Sequence, residues 1–177
     1  MTRVYPEGWH SRGYLPHYSV ADVYQFVTFR LNDSLPKVRL LELENELLKL
    51  PLSARESERR RRIESLLDRG FGSCVLQESN VAAIVERALF HFQDERYRIH
   101  AWVIMPNHVH VLLMLFEGIS LSAVVHSWKS FSSREINFLL KRTGPFWQRD
   151  YFDRYIRDER HYCNTVAYIE AHPVLAD

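Results

Sequence analysis

The strongest constraint on the fold is a short apolar run that follows a turn signal and carries two histidines. Residues 105–113 read MPNHVHVLL, and such a run, rich in Val and Leu after Pro-Asn, is typical of a buried strand. Successive side chains of a strand point to opposite faces, so His108 and His110 share one face. Two imidazoles side by side on a rigid strand form a half-site for a divalent metal ion.

The segments around this strand predict an α+β fold. We expect strands at 23–31, 98–104, 108–115 and within 146–156, and helices at 81–94, 120–140 and 158 to about 172. The short Pro106-Asn107 connection makes the second and third strands an antiparallel hairpin. The order β-α-β-β-α-β indicates a ferredoxin-like antiparallel sheet with helices on one face and a further C-terminal helix.

Two segments lie outside this order, within what we interpret as a single domain over residues 1–177. Residues 38–76 predict an inserted helical hairpin: leucines recur at helical spacing, Pro51 ends the first helix, and Ser53 and Glu56 have the spacing of a capping box. The first twenty residues are irregular but rich in aromatic side chains, which indicates an ordered arm.

Composition excludes some classes of protein. With 46% hydrophobic and 13% aromatic residues the chain can bury a core. A net charge of +1 neither indicates nor excludes nucleic-acid binding. Cys74 and Cys163 match no metal-binding spacing and no disulfide framework, which favours a cytoplasmic protein. Residues 1–6 contain no apolar signal core, and no apolar run reaches the length of a membrane span, so we expect no membrane association.

The last helix offers a third metal ligand and a nucleophile. Tyr168 and His172 are four residues apart, roughly 40° around a helix, and therefore project from the same face. Pro173 predicts that the helix ends there, so that His172 can reach sideways to the histidine pair. Two alternatives stay open: His172 could simply cap helix carbonyls, and Tyr162, roughly 120° away, is a rival nucleophile.

Several segments of the chain resemble those of a known family. The similar segments are RGYLPH at 12–17, FVTFRL at 26–31, HAWVIMPNHVH at 100–110, FWQ at 146–148, FDRYIRDE at 152–159 and YIEAHPV at 168–174. They resemble the HUH single-strand DNA endonucleases and, within them, the REP-associated tyrosine transposases of the single-tyrosine branch.

The resemblance implies a metal-dependent transesterification. His108, His110 and His172 would hold the metal, Mn²⁺ or Mg²⁺, and Tyr168 would form a 5′-phosphotyrosine link with single-stranded DNA at hairpin-forming repeats. It favours a monomer, although some relatives place the tyrosine helix over the histidines of a second subunit. Two other functions remain open, a hairpin-binding module that does not cut and a metal nuclease that uses activated water.

The chain departs from the family pattern at one ligand. The usual motif is Tyr-Ile-x-x-Asn-Pro-Val, whereas residue 172 is histidine here. Imidazole favours Mn²⁺ over Mg²⁺, so we expect Mn²⁺ to support cleavage better. Affinity should fall below about pH 6.5, where unperturbed histidines are protonated. Family members usually continue past this motif, so we expect contacts made by such a tail to be missing from these residues.

Several residues are candidates for contacting DNA. The arm could stack on unpaired bases or merely cover a sheet edge, and four of its residues are candidates: Trp9, Arg12, Tyr14 and His17. Arg59 and Arg61 could bind phosphates of a hairpin or form a solvated helix face. Gln148 could reach a phosphate or the metal, and Arg154 lies in a segment shared with the family.

Overall fold

A computed structural model describes the backbone of residues 9–11, 16–18 and 23–175 and the side chains of 23–172. Its strands are β1 (Trp9–Ser11), β2 (Pro16–Tyr18), β3 (Tyr24–Arg30), β4 (Tyr97–Ile104), β5 (His108–Leu115) and β6 (Phe152–Tyr155). Its helices are α1 (Lys37–Leu47), α2 (Leu52–Leu67), α3 (Ser79–Phe90), α4 (Leu121–Leu139) and α5 (Glu159–Leu175).

The central sheet has the predicted ferredoxin-like topology. Its four strands lie in the order β4-β5-β3-β6, and every neighbouring pair is antiparallel. The short turn at 105–107 joins β4 to β5 as a hairpin, as the sequence predicts. The fold class is therefore confirmed. In the arm, β1 pairs with β2 as an antiparallel ribbon, where the sequence indicates an irregular segment.

The two faces of the sheet pack against different helices. One face packs against α3 and α4 and forms the main core, which includes Val27, Val111 and Trp128. The other face carries Phe26 and Leu112 and packs against α5 through Ile169. Since β3 and β5 are covered on both faces, their sequences are apolar without strict alternation. Burying each large apolar side chain stabilises the fold by about 1.5–3 kcal/mol.

The predicted insertion is a pair of helices, α1 and α2, whose exit is fixed to the sheet. Arg59 of α2 donates to Glu44 of α1 at 2.7 Å. At the end of α2, the Nδ2 of Asn107 donates to the carbonyls of Leu67, at 3.2 Å, and Phe71, at 2.9 Å. Asn107 belongs to the turn before β5, so these bonds hold the end of α2 beside that strand.

Four predicted helix boundaries are wrong. Ser53 does not cap α2, because the helix begins at Leu52, directly after Pro51, with no side-chain cap. The helix α3 begins at Ser79, before the predicted residue 81, and ends at Phe90, before the predicted residue 94. The helix α5 continues through Pro173 to Leu175, although proline removes one backbone donor. His172 is therefore a buried residue within the helix rather than a side chain at its frayed end.

Candidate metal centre and active site

The two histidines of β5 lie on the face of the sheet that packs against α5. His108 and His110 are both 1% exposed. Their Nε2 atoms are 3.0 Å apart, so the shared face predicted from the strand period is observed. Burial lowers the pKa of His108 to about 4 and holds that of His110 well below its ordinary value. Both rings are consequently neutral at neutral pH, the form that binds metal.

The hydrogen bonds of Asn107 determine which nitrogen of His108 is free. Because the Nδ2 of Asn107 donates to two carbonyls, its Oδ1 must be the atom that faces Nδ1 of His108, at 2.7 Å. An amide oxygen only accepts, so Nδ1 of His108 carries the proton and donates it. The Nε2 atom of His108 is then unprotonated, and its lone pair points at His110.

His110 is oriented by a residue of the neighbouring strand. Thr28 of β3 is paired with His110 in the sheet register, and its Oγ1 lies 2.7 Å from Nδ1 of His110. When Nδ1 donates to this hydroxyl, Nε2 of His110 is also unprotonated. Two lone pairs that face each other at 3.0 Å repel unless a cation lies between them, so this arrangement suits a metal ion.

The third imidazole comes from α5. The ligand atoms of His108, His110 and His172 all lie within 4.8 Å of one another, and all three residues are buried. The Nδ1 of His172 has no hydrogen-bond partner among the described residues. Three buried, convergent imidazoles, of which two have their outer nitrogens hydrogen-bonded, fit a divalent metal of the Mn to Zn series.

Tyr168 lies directly above this cluster. Its ring centroid is 4.3 Å from that of His172 and 5.5 Å from that of His110, and its hydroxyl is 3.4 Å from Nε2 of His172. Burial, together with the carboxylates of Glu64 and Asp68, raises the pKa of Tyr168 above its ordinary value of 10. The phenol therefore needs a cation near it before it can act as a nucleophile.

The rival tyrosine lies elsewhere. The hydroxyl of Tyr162 is 3.3 Å from Nδ1 of His100, and its ring packs against Tyr24. Tyr162 therefore faces a different group of side chains from the histidine cluster. Of the two tyrosines, only Tyr168 contacts the proposed ligands.

Sequence reasoning missed the part that α2 plays in the site. Arg60, Glu64 and Asp68 follow each other at four-residue intervals along one side of the helix. Arg60 lies over the ring of Phe152 at 4.5 Å, and Oδ1 of Asp68 is 3.1 Å from Nε2 of His172. The four-residue spacing was visible in the sequence, but nothing there showed that this side of the insertion faces the histidines.

The candidate DNA contacts have mixed surroundings. Arg154 lies over the ring of Phe26 at 4.8 Å, and its buried Nε has no partner among the described residues. Arg59 is paired with Glu44 and Arg61 with Glu58, so part of their charge is already neutralised. Gln148 lines a groove beside α4 with Lys129 and Arg134.

The candidates in the arm are described only in part. Trp9 lies in β1 and His17 in β2, and only their backbones are described. Arg12 and Tyr14 are outside the described residues. The contacts of these four residues with DNA stay predictions.

Residues 75–172 match the model of the IS200-like transposase family, which is more than half of the chain. The chain belongs to this family. The matched segment contains the three histidines and Tyr168, and the resemblance predicted from the sequence is thereby confirmed. The match begins after α2, so Asp68 lies outside it.

Two individual proteins are similar to the chain. An uncharacterised protein from Haemophilus influenzae is 26% identical over an alignment of 102 residues, which covers 44% of this chain and 55% of that relative. The structure of a REP-associated tyrosine transposase bound to a REP hairpin has a TM-score of 0.60 and 18% identity. That match covers 92% of this chain and 73% of the solved one, and it supports the fold. Among the described helices, none is both long and apolar enough to span a membrane.

Proposed function

We propose that this transposase-family chain is a metal-dependent single-stranded DNA endonuclease and strand transferase. It would cleave and rejoin DNA at hairpin-forming repeats through a 5′-phosphotyrosine intermediate. The observation that carries the proposal is the position of Tyr168, whose ring lies against His110 and His172 of a three-imidazole cluster. A nucleophile beside a metal site is the arrangement that a transesterification requires.

The reaction exchanges one phosphodiester for another. The Oη of Tyr168 attacks the scissile phosphorus, the Oη–P bond forms, and the bond from phosphorus to the 3′ oxygen breaks. The phenol loses its proton, and the departing oxygen gains one and becomes a free 3′-hydroxyl. Because the new link is itself a phosphoester, a second 3′-hydroxyl can reverse the attack and rejoin the strand.

His172 is poorly placed to relay the proton of Tyr168 to Asp68. The phenol oxygen and the Asp68 carboxylate both approach the same nitrogen, Nε2, at 3.4 and 3.1 Å. A relay would need one group at each ring nitrogen, as in catalytic triads. The geometry favours His172 as a ligand, with the developing phenolate stabilised by positive charge nearby.

His108, His110 and His172 would hold the metal through one nitrogen each. A bound divalent cation would polarise the scissile phosphate and offset its developing negative charge. The three imidazoles favour Mn²⁺ over Mg²⁺, which prefers oxygen ligands. Thr28 and Asn107 hold two of the rings in place through hydrogen bonds of 2.7 Å each.

Arg154 is the described side chain best suited to bind the scissile phosphate. It lies over Phe26, whose ring also stacks on His110 with a centroid distance of 5.1 Å. The positive charge of Arg154 also opposes the rise in the pKa of Tyr168. A guanidinium in this position can donate a hydrogen bond to a phosphate oxygen from its unpartnered Nε–H.

A hairpin-containing DNA substrate is supported by the solved relative, which was bound to a REP hairpin. Stacking of bases on the aromatic arm, and phosphate contacts by Arg59, Arg61 and Gln148, belong to this proposal. We also propose that the chain acts as a monomer, because Tyr168 contacts the histidines of its own chain.

Covalent trapping tests the proposal. A 5′-labelled or 3′-labelled single strand that carries a REP-like hairpin is incubated with the protein and Mn²⁺, and adducts are separated under denaturing conditions. The wild type should retain the label that lies 3′ of the cut, and Tyr168→Phe should retain none. Tyr162→Phe, a change of the same kind on the same helix, should form the adduct like wild type.

The two alternatives give different results. A hairpin-binding module would shift the DNA in native gels but form no adduct and release no product. A nuclease that activates water would release product with both wild type and Tyr168→Phe and leave no adduct. Either result would overturn the proposal.

A further inference from the structure

We propose that Asp68, at the end of the insertion helix α2, is a fourth ligand of the metal held by the three histidines. This inference rests on the proposed metal site, although not on DNA cleavage. It assigns the insertion a direct part in the active site. The family match covers residues 75–172, so this ligand would come from outside the segment that the family model describes.

The carboxylate of Asp68 already lies close to the nitrogen atoms that would bind the metal. Its Oδ1 is 3.1 Å from Nε2 of His172 and 4.0 Å from Nε2 of His108. Ligand atoms at about 2.0–2.2 Å from one metal ion are roughly 3.0–3.5 Å apart. The first distance lies within this range and the second is about 0.5 Å longer, so a small rotation of the Asp68 side chain would place its oxygen in the same coordination sphere.

The position of Asp68 is fixed by hydrogen bonds of its own N–H and of the preceding carbonyl. Its own N–H donates to the carbonyl of Glu64 at 3.0 Å and ends α2. The preceding carbonyl, of Leu67, accepts from Asn107, the same amide that orients His108. One side chain thus ties the end of α2 and a metal-binding ring together, and the carboxylate is held near the histidines.

A carboxylate also solves an electrostatic problem of the site. Three neutral imidazoles would leave a buried divalent ion with its full charge, which is unfavourable in a desolvated pocket. Asp68 supplies one compensating negative charge, and it is 41% exposed on its side chain, so it can reach the ion from the solvent side. An oxygen ligand beside three nitrogens remains compatible with Mn²⁺.

Metal binding without DNA tests this assignment. Mn²⁺ affinity is measured by isothermal titration calorimetry for chelator-treated wild type, Asp68→Asn and Asp68→Ala. The matched control is Glu56→Gln, which removes the same charge from the same helix, three turns or about 18 Å away. We expect Asp68→Ala to weaken Mn²⁺ binding by about tenfold or more and Glu56→Gln to leave it unchanged.

The visible spectrum of the Co²⁺ form separates a ligand from a residue that only supports α2. At saturating Co²⁺, loss of a ligand should change the intensity and position of the d–d bands in Asp68→Ala, but not in Glu56→Gln. Equal Mn²⁺ affinity in wild type and Asp68→Ala, or an unchanged saturated spectrum, would overturn the proposal. Asp68→Asn is nearly isosteric, loses the charge and keeps an amide oxygen that can still bind a metal ion. If the alanine variant does not fold, Asp68→Asn should still show a measurable loss of Mn²⁺ affinity, smaller than that expected for alanine, and unchanged affinity would overturn the proposal.

These measurements are independent of the proposed function. If wild type forms no DNA adduct but Asp68→Ala still loses Mn²⁺ affinity, the ligand assignment stands without the transposase chemistry. If the adduct forms and Asp68→Ala binds Mn²⁺ normally, the proposed function stands without the fourth ligand.

Discussion

Thr28 should affect metal binding through the orientation of His110. Its hydroxyl accepts from Nδ1 of His110 at 2.7 Å when Nε2 binds the metal. Thr28→Val keeps the shape of the side chain and removes this acceptor, so the ring loses its fixed orientation. We expect Mn²⁺ affinity to fall by about tenfold to a hundredfold in calorimetric titrations.

Thr165 provides the matched control for that experiment. It is also buried and also makes one hydrogen bond, from Oγ1 to the carbonyl of His161 at 2.8 Å. Thr165→Val should lower stability by a similar amount, about 1 kcal/mol, without changing Mn²⁺ affinity. If the two variants lose affinity equally, Thr28 has no specific role at the metal.

The choice of metal is a second property of a single residue. Since the imidazole of His172 favours Mn²⁺ over Mg²⁺, which prefers oxygen ligands, we expect Mn²⁺ to support adduct formation at least about tenfold better than Mg²⁺. In His172→Asn this preference should become smaller, whereas His161→Asn, elsewhere on α5, should keep it. The ratio of initial rates in the two metals is the measurement. A ratio that is equal in wild type and His172→Asn would contradict the expectation.

At the residue scale, the sequence could predict which side chains share an element and that His172 can reach the histidine pair, but not the partners that other elements bring to these rings. His108 and His110 follow from the strand period, and Tyr168 and His172 from the helical one. Thr28 contacts His110 only because of the register between β3 and β5. That register depends on the packing of the whole sheet, and a single sequence does not specify it.

Among the elements, the exit of the insertion should be sensitive to a single methyl group. Gly72 has a φ of +90°, and a Cβ there would lie 2.6 Å from the carbonyl oxygen of Asp33. Gly144 has nearly the same φ, +93°, but a Cβ there would meet nothing within 4 Å. Both alanine variants carry the backbone strain of positive φ, about 1–2 kcal/mol, and only Gly72→Ala adds the clash.

We therefore expect Gly72→Ala to lower the free energy of unfolding by at least about 1 kcal/mol more than Gly144→Ala. Urea unfolding followed by circular dichroism measures both. Because this loop holds α2 beside the histidines, Gly72→Ala should also weaken Mn²⁺ binding. Equal losses of stability in the two variants would show that the loop does not pack against Asp33 in this way.

The elements themselves were largely predictable, and their ends were not. Leucine spacing and Pro51 indicate α1 and α2, yet the helix starts at Leu52 without the predicted cap, since proline itself precedes the first turn. Pro173 predicts a helix end that tertiary contacts override, because His172 is held in the buried cluster. The docking of α2 on the site depends on Asn107, which the sequence shows only as a turn residue.

At the scale of the whole molecule, the fold divides structural and chemical tasks between the two faces of one sheet. The face against α3 and α4 contains most of the large buried side chains. The opposite face carries a smaller apolar cluster with Phe26, Leu112 and Ile169, and beside it the three histidines. The fold buries these imidazoles in their neutral form, paired by hydrogen bonds or by a metal. Protonation of the rings is thereby coupled to unfolding, and global stability depends on pH.

Stability of the metal-free protein should fall as the pH decreases from about 6.5 towards 4. Burial lowers the pKa of His108 from 6.5 to about 4 and that of His110 in the same direction. In this window the unfolded chain binds protons that the folded chain excludes, so acid favours unfolding. A difference of about 2.5 pKa units corresponds to roughly 3 kcal/mol for His108.

The lowered pKa also shifts the pH at which metal affinity is lost, from about 6.5 towards 4. Protons compete with the metal for these buried rings only near the lowered pKa. The measurement is urea unfolding at pH 7, 6 and 5 with a chelator present, for wild type and for His108→Asn/His110→Gln. The wild type should lose stability more steeply than the double variant, since the variant lacks the two depressed groups. Parallel curves would mean that these histidines are accessible to protons in the folded protein, and the buried metal centre would then be untenable.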